Sequence, residues 1–382
     1  MRYEVPQLGD TGLEVSEIGF GGEWMDKSPE ETRAVADACE RAGINILDCW
    51  MADPTRRSNL GNAIEGRRGK WIIQGHLGSV WRNEQYVRLR DLDAVKPAFQ
   101  DLLDRFHTDY IDIGMIHFVD KEDEYRLIMD GTFIEYVREL KAAGAIRHVG
   151  LSTHNPAVAK LAALEPEIEV IMFSVNPAFD MLPASDDIND LFGDYADDGL
   201  DGINRDRAEL YALCEQTGTG ITVMKPYAGG RLFSKDASPF GVALTPLHCL
   251  HYALTRPAVA SVMAGFSEPS HVADAIAYET AAPDETDYAS VLAGAPRNAY
   301  FGQCTYCGHC APCTVGIDIA AVNKYYDLAT MQDEVPDSLR EHYRALGTTA
   351  ADCTACGACE QRCPFGVKVA RKMAEAAKLF DC

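Results

Sequence analysis

The sequence holds thirteen cysteines, and eight of them fall in two runs after residue 300. The first run, CTYCGHCAPC, contributes Cys304, Cys307, Cys310 and Cys313; the second, CTACGACEQRCP, contributes Cys353, Cys356, Cys359 and Cys363. Thiolates at such close intervals ligate metal, and the glycines of CGHC and CGAC let a loop wrap tightly while turning several sulfurs inward. The second run has the spacing C-x2-C-x2-C-x3-C followed by proline, which holds a cubane 4Fe–4S cluster. Structural zinc instead uses two separated C-x2-C pairs and four ligands in all. Two complete four-cysteine runs fit that poorly, so the expected chemistry is one-electron transfer through two 4Fe–4S clusters. The first run departs from the pattern by spacing its last cysteine by two residues. The other five cysteines, Cys39, Cys49, Cys214, Cys249 and Cys382, are scattered.

The second run resembles the bacterial two-cluster ferredoxins. That resemblance implies that three close thiolates grip one cube while the fourth reaches across to the other. Cys304, Cys307, Cys310 and Cys363 would then hold one cluster, and Cys353, Cys356, Cys359 and Cys313 the second. Between the runs, IDIAAVNKYYDLATMQ and DSLREHYRALG read as helices, so this is expected to be a small, mainly helical ferredoxin-like unit.

Charge narrows the partners. Lys plus Arg is 35 against 58 Asp plus Glu, a net charge of −23. Phosphate binding depends on clustered Lys and Arg, so the balance argues against nucleic acid, and equally against an anionic membrane surface. No run approaches the roughly 20 apolar residues of a membrane span. MRYEVPQLGDTG has no basic stretch followed by an apolar one, so no export signal is read. Cysteine-rich composition without export points to metal or redox chemistry in the cytoplasm. The concentration of cysteines marks a boundary inside TAAPDETDYASVLAGAPRN, giving expected domains at 1–285 and 298–382.

The elements that must position any other chemistry lie in the first part. EIGFGG, NILDCW, WIIQGHLG, YIDIGMIH, IRHVGLST, EVIMFSVN, GITVMKPY and VASVMAGF are short runs rich in Ile and Val, as strands buried on both faces should be. PEETRAVADACERAG, LDAVKPAFQDLLDRFH and TFIEYVRELKAAG between them read as helices, ended by glycine in two cases. Eight strand–helix repeats predict an α/β fold, a (β/α)8 TIM barrel. An open doubly wound sheet is the alternative, but GFGGEW puts Trp24 where a third glycine of GxGxxG would stand.

LGDTGLEVSEIGFGG, AGINILDCW, the SNLGNAI helix, FHTDYIDIGMIH, GAIRHVGLSTHN and VMKPYAGGRL, in this order, resemble the aldo-keto reductases, and within them the branch with a C-terminal iron–sulfur domain. The resemblance implies hydride transfer from NADPH to a carbonyl, with a tyrosine acid tuned by lysine, aspartate and histidine. The aspartate position matches Asp48 and the histidine His117. The tyrosine position falls on Asp53 and the lysine position on His76, so two of the four roles are expected to be replaced. An exposed carboxyl is ionised at neutral pH; His76, or a loop tyrosine such as Tyr86, would then supply the proton. The family's nicotinamide-holding glutamine aligns with Met172, and Ala275 stands where an asparagine contacts the adenosine. Ser152 and Asn176 are retained. These changes weigh against NADP(H).

Barrel active sites lie at the C-terminal strand ends. Those ends offer Glu23, Asp48, Trp50, His76, His117, His154, Asn176 and Lys225. Asp48, His76 and His117 form two imidazoles and a carboxylate, a set that can hold Fe(II), Zn or Mn, or act as a metal-free acid–base cluster. SDDINDLFGDYADDGLDG does not match the EF-hand spacing and reads as a solvated loop that forms part of a lid over the mouth. Together these features predict an oxidoreductase that reduces a small organic substrate (a carbonyl, an enone or a carbon–oxygen bond) with electrons from a low-potential donor such as ferredoxin or flavodoxin. Two other readings stand beside it: an NADPH-dependent carbonyl reductase with accessory clusters, and a non-catalytic electron-transfer subunit of a larger complex.

Overall fold

The computed structural model describes residues 6–192, 202–296, 300–332 and 334–381. Its strands are β1 (Ile18–Gly21), β2 (Ile46–Cys49), β3 (Ile72–Leu77), β4 (Ser79–Arg82), β5 (Gln85–Arg88), β6 (Ile111–Ile116), β7 (Ile146–Thr153), β8 (Val170–Ser174), β9 (Gly220–Met224) and β10 (Val259–Gly265). Eight of them close into a parallel barrel in the order β1-β10-β9-β8-β7-β6-β3-β2, each matching one of the eight expected runs. Ile46, Ile113, Met115, Val170, Met172, Ala260 and Met263 fill the interior, joined from the N-terminal side by Leu8 and Val15. Each buried Ile, Val, Leu or Met among them is worth about 1.5–3 kcal/mol. The turn carrying Leu8 plugs the lower end of the barrel: the Asp10 N–H donates to the Gly218 carbonyl at 2.8 Å. Only glycine fits beside it, since a Cβ on Gly9 would stand 2.2 Å from that oxygen.

Helix starts follow the sequence closely. Ser28 and Glu31 form a reciprocal capping box ahead of the helix Pro29–Arg41, and Asn155 caps Pro156–Ala163. A proline at the first helical position costs no hydrogen bond, because its N–H would be unpaired anyway.

The sequence reading contained no counterpart for β4 and β5. They form an antiparallel hairpin between β3 and β6, with Trp81 opposite Tyr86 and Arg82 opposite Gln85. Its two-residue turn, Asn83–Glu84, has φ of 53° and 59°. Positive φ at both positions matches the right-handed twist of the flanking strands. The hairpin leaves β3 through Gly78, at φ 96°.

In the C-terminal part, the helices Ile319–Thr330 and Asp337–Arg344 fall where expected, and a further helix, Val369–Phe380, follows the second cysteine run. Its buried residues Val369, Met373, Ala376 and Phe380 recur at helical spacing. This part rests on the barrel through polar groups. Tyr288 and the fully buried Arg256 both donate to the Thr305 carbonyl, inside the first cysteine run. Tyr300 donates to the Pro177 carbonyl beyond β8. Among the described residues no helix is long and apolar enough to cross a membrane.

Candidate active site and cluster cradles

Parallel strands leave their last side chains at one rim of the barrel, and there a cavity of about 590 Å³ opens. Asp48, His76 and His117 stand on its wall, at or just beyond the ends of β2, β3 and β6. They form a line. His76 Nε2 lies 2.9 Å from Asp48 Oδ1, His76 Nδ1 lies 2.8 Å from His117 Nδ1, and Tyr86 Oη lies 2.6 Å from His117 Nε2. The hairpin thus brings its tyrosine to the end of a chain begun by strand residues. Gln74 Nε2 donates to Asp48 Oδ1 at 3.1 Å and fixes the other end. Trp50 stacks on His117 at 5.9 Å with an interplanar angle of 6°, and its Nε1 donates to Glu23 at 3.4 Å.

The hydrogen bonds admit a consistent set of neutral tautomers. Tyr86 donates to His117 Nε2; His117 carries its proton on Nδ1 and donates to His76 Nδ1; His76 donates from Nε2 to Asp48. Burial, reinforced by His76 and by Arg90 and Arg88, holds His117 well below the usual histidine range, so its ring is uncharged at neutral pH. Burial also pushes the Tyr86 phenol up, against the pull of Arg88 and Arg90.

A second polar group stands beside the line, past the neighbouring strand β7, with the Phe118 ring between. Asp120 Oδ2 accepts from His154 Nδ1 at 3.0 Å, while its Oδ1 accepts from the His154 N–H at 2.7 Å and the Thr153 hydroxyl at 3.0 Å. Burial opposes the Asp120 carboxylate, but these bonds overcome it and leave the group below its usual range. Lys225, just past β9 at φ 55°, is lowered by burial, which Glu23 and Asp120 only partly offset.

Of the residues expected at the mouth, Glu23, Asp48, Trp50, His76, His117, Ser152, His154 and Lys225 line the cavity. Asp53 does not. It caps the helix Pro54–Ala63 by accepting from the Thr55 and Arg56 N–H groups, and its other oxygen pairs with the Arg56 guanidinium at 2.7 Å. Asn176 is equally committed, donating to the Lys225 carbonyl and accepting from Ala178 and Phe179. Asp48, His76 and His117 are hydrogen-bonded in sequence rather than gathered around a point. Among the described residues no three His, Cys, Asp or Glu side chains come together as ligands of a single metal ion, so of the two possibilities for Asp48, His76 and His117 the Fe(II), Zn or Mn site is not formed. Ile188 of the acidic segment reaches the cavity wall, and Asp186 accepts from Asn155. Asp194, Asp197, Asp198 and Asp201 lie outside the described residues. Asp120 and Gln74 went unnoticed in the sequence, since neither belongs to a motif.

Of the residues set against the family's nicotinamide contacts, the Asn176 amide is held by backbone, the Ser152 hydroxyl accepts the Phe118 N–H at 2.8 Å and keeps its own hydrogen to donate, and Met172 presents a thioether to the cavity. The cysteines suit clusters. Cys313, Cys353, Cys356 and Cys359 together line one small cavity, the same four assigned to the second cluster. The Ala355 N–H points at Cys353 Sγ and the Val367 N–H at Cys363 Sγ, each at 3.4 Å, as suits thiolates that bear charge. Burial of Cys307 is accompanied by the field of Cys363, which places that fourth cysteine beside the first run. Cys39, Cys49, Cys214 and Cys249 are buried core residues; Cys382 lies outside the described residues.

The closed barrel with a polar cavity at its rim defines the class of fold, and comparison with known proteins gives the family. Residues 17–243 match the aldo/keto reductase family, and the chain belongs to that family. Residues 300–367 match the 4Fe-4S dicluster domain, which places it in the branch with an attached iron–sulfur unit. An uncharacterized oxidoreductase of Bacillus subtilis (strain 168), YqkF, is 32% identical over 181 residues, 46% of this chain and 57% of that protein. The chain therefore spans little more than half of that relative's length. L-galactose dehydrogenase of Arabidopsis thaliana is 24% identical over 73% of this chain and 89% of its own. Among solved structures, the holo form of aldo-keto reductase AKR11C1 from Bacillus halodurans superposes with a TM-score of 0.59 at 26% identity, covering 78% of this chain and 98% of that one.

Proposed function

We propose that the barrel mouth reduces a small organic substrate, a carbonyl, an enone or a carbon–oxygen bond, and that Tyr86 delivers the proton. The observation that carries this reading is the unbroken line Asp48–His76–His117–Tyr86, with its phenol at the cavity. With Asp48 protonated the line takes the opposite tautomer set: Asp48 donates to His76 Nε2, His76 Nδ1–H to His117 Nδ1, and His117 Nε2–H to the Tyr86 oxygen, which turns the phenolic hydrogen to the substrate. Delivery then moves one proton along each bond: Tyr86 gives its hydrogen to the substrate and is refilled from His117, His117 from His76 and His76 from Asp48, which leaves Asp48 ionised and the line in its resting tautomers. Renewed uptake at Asp48, with both imidazoles exchanging tautomer, readies a second delivery, so the two protons of the reduction leave in two passes. Asp53 and the family's lysine have no part in this scheme, and His76 acts within the relay. Reducing a carbonyl to an alcohol takes up two electrons and two protons. A low-potential one-electron donor of the ferredoxin or flavodoxin kind is the source we assign. The clusters, when bound to their eight cysteines, supply single-electron transfer. We take the two units to be 1–285 and 298–382, in a protein of the cytoplasm.

The test uses anaerobic, cluster-loaded protein reduced with dithionite, then mixed with a panel of planar enones and aromatic aldehydes while cluster absorbance is followed. Some members should reoxidise the wild type, and Tyr86→Phe should slow this by about 10²–10⁴, the range for losing a positioned acid. Unchanged reoxidation in Tyr86→Phe would defeat the assignment. Full reduction of the panel by NADPH alone would return the chain to the family's usual chemistry.

A further inference from the structure

The relay occupies one arc of the cavity wall, and the wall carries a second polar group that the relay does not use. His154 is 8% exposed and lines the cavity, and its Nε2 is buried without a partner. Because Asp120 holds Nδ1–H, Nε2 presents a lone pair. An unpaired buried nitrogen is destabilising unless something meets it. Phe118 separates the two arcs, edge-on to His117 at 6.1 Å and to His154 at 5.0 Å. Lys225 lies on the His154 side of the barrel order, past β9. The rest of the wall is aromatic and thioether: Trp50, Tyr227, Met172, Met224 and Met263.

We propose that Asp120, His154 and Lys225 form a second binding end of the cavity, which takes an acidic hydroxyl, a phenol or enol, on a planar substrate. The hydroxyl donates to His154 Nε2. The hydroxyl keeps its proton in a neutral hydrogen bond, because burial lowers the His154 imidazole despite Asp120, and Lys225 stands on the same side of the cavity. A ring spanning the cavity then presents its reducible group to Tyr86. This rests on reading the cavity as the substrate site, but binding at His154 requires no turnover, so the two ideas fail separately.

Calorimetric titration of the cluster-loaded protein with 2-naphthol and with 2-methoxynaphthalene tests it. The naphthol should bind roughly tenfold more tightly or better, the effect of one hydrogen bond to a buried acceptor. That preference should collapse to about twofold or less in His154→Phe, shrink in Lys225→Met and persist in Tyr86→Phe, by the same reasoning. Equal binding of the two ligands by the wild type overturns the proposal without relying on any variant. A preference that survives His154→Phe and vanishes in Tyr86→Phe overturns it too, placing the hydroxyl at the relay.

Discussion

The two cysteine runs share a backbone but differ in surroundings. Tyr306 and Ala355 occupy the same place in C-T-x-C-G and have φ of 60° and 53°; the glycines that follow, Gly308 and Gly357, have 81° and 74°. Around the first run, Thr305 is buried and its carbonyl is held by Arg256 and Tyr288, while Arg256 also lies over the Tyr252 and Tyr306 rings at 4.5 and 5.3 Å. Around the second, Thr354, Ala355 and Cys356 are exposed. The thiols differ accordingly. Burial pushes Cys304 up to about 12, whereas the Ala358 N–H and the Thr314 hydroxyl hold the exposed Cys356 below its ordinary value. Solvent, hydrogen bonds and net charge set the potential of such clusters. One cradle is therefore built against the barrel and the other lies open to solvent, although their motifs read nearly alike.

The sharpest way to break this comparison is to remove one ligand from each. Cys356→Ala and Cys307→Ala should each cost about half of the iron, measured by chemical assay, since each forfeits one of two cubes. Only Cys307→Ala should also lower the thermal midpoint of the barrel, because its loop carries Thr305. Equal midpoints would mean that the first loop does not support the barrel.

Arg256→Met comes next. It deletes a buried cation beside the first run and leaves the Thr305 carbonyl short of one donor, for a destabilisation of about 1–3 kcal/mol. Loss of positive charge disfavours the reduced state, so the potential of the barrel-side cluster should fall while the other holds, as read by EPR-monitored redox titration. Parallel shifts in both clusters would show that the two environments are not separate.

How much of this was legible depended on whether the signal was local. The eight barrel strands could be read because each is a short Ile- and Val-rich run, and burial on both faces allows little else. The hairpin was missed because its turn is Asn83–Glu84 rather than Asn–Gly, so nothing announced positive φ at two positions. Tyr86 was therefore only a loop tyrosine, though it completes the line to Asp48. Asp53 shows two signals in conflict. Alignment set it in the tyrosine's place, yet Asp followed by Pro is also a helix start, and capping is the use the structure makes of it. The Asp120–His154 pair joins the ends of two strands, and no spacing in the chain foretells that contact.

The narrowest expected effect, confined to acidic pH, concerns the seam beside the first run. His251 packs against Tyr278 and Tyr288 there. Burial, reinforced by the nearby Arg256 and only partly countered by Asp287, lowers it to about 4. The unfolded chain binds this proton near pH 6.5, whereas the folded protein resists it. Stability from this group is thus complete above pH 6.5 and declines as pH falls toward 4. The loss is about 2 kcal/mol by pH 5. His251→Phe should flatten that part of the profile in denaturant unfolding measured between pH 7.5 and 5. Cys356→Ala should leave it unchanged, because the exposed cradle does not touch the seam. An unaltered slope in His251→Phe would put the acid sensitivity elsewhere, with His117 the next buried neutral ring to test. The pH dependence would then belong to the relay rather than to the junction between barrel and clusters.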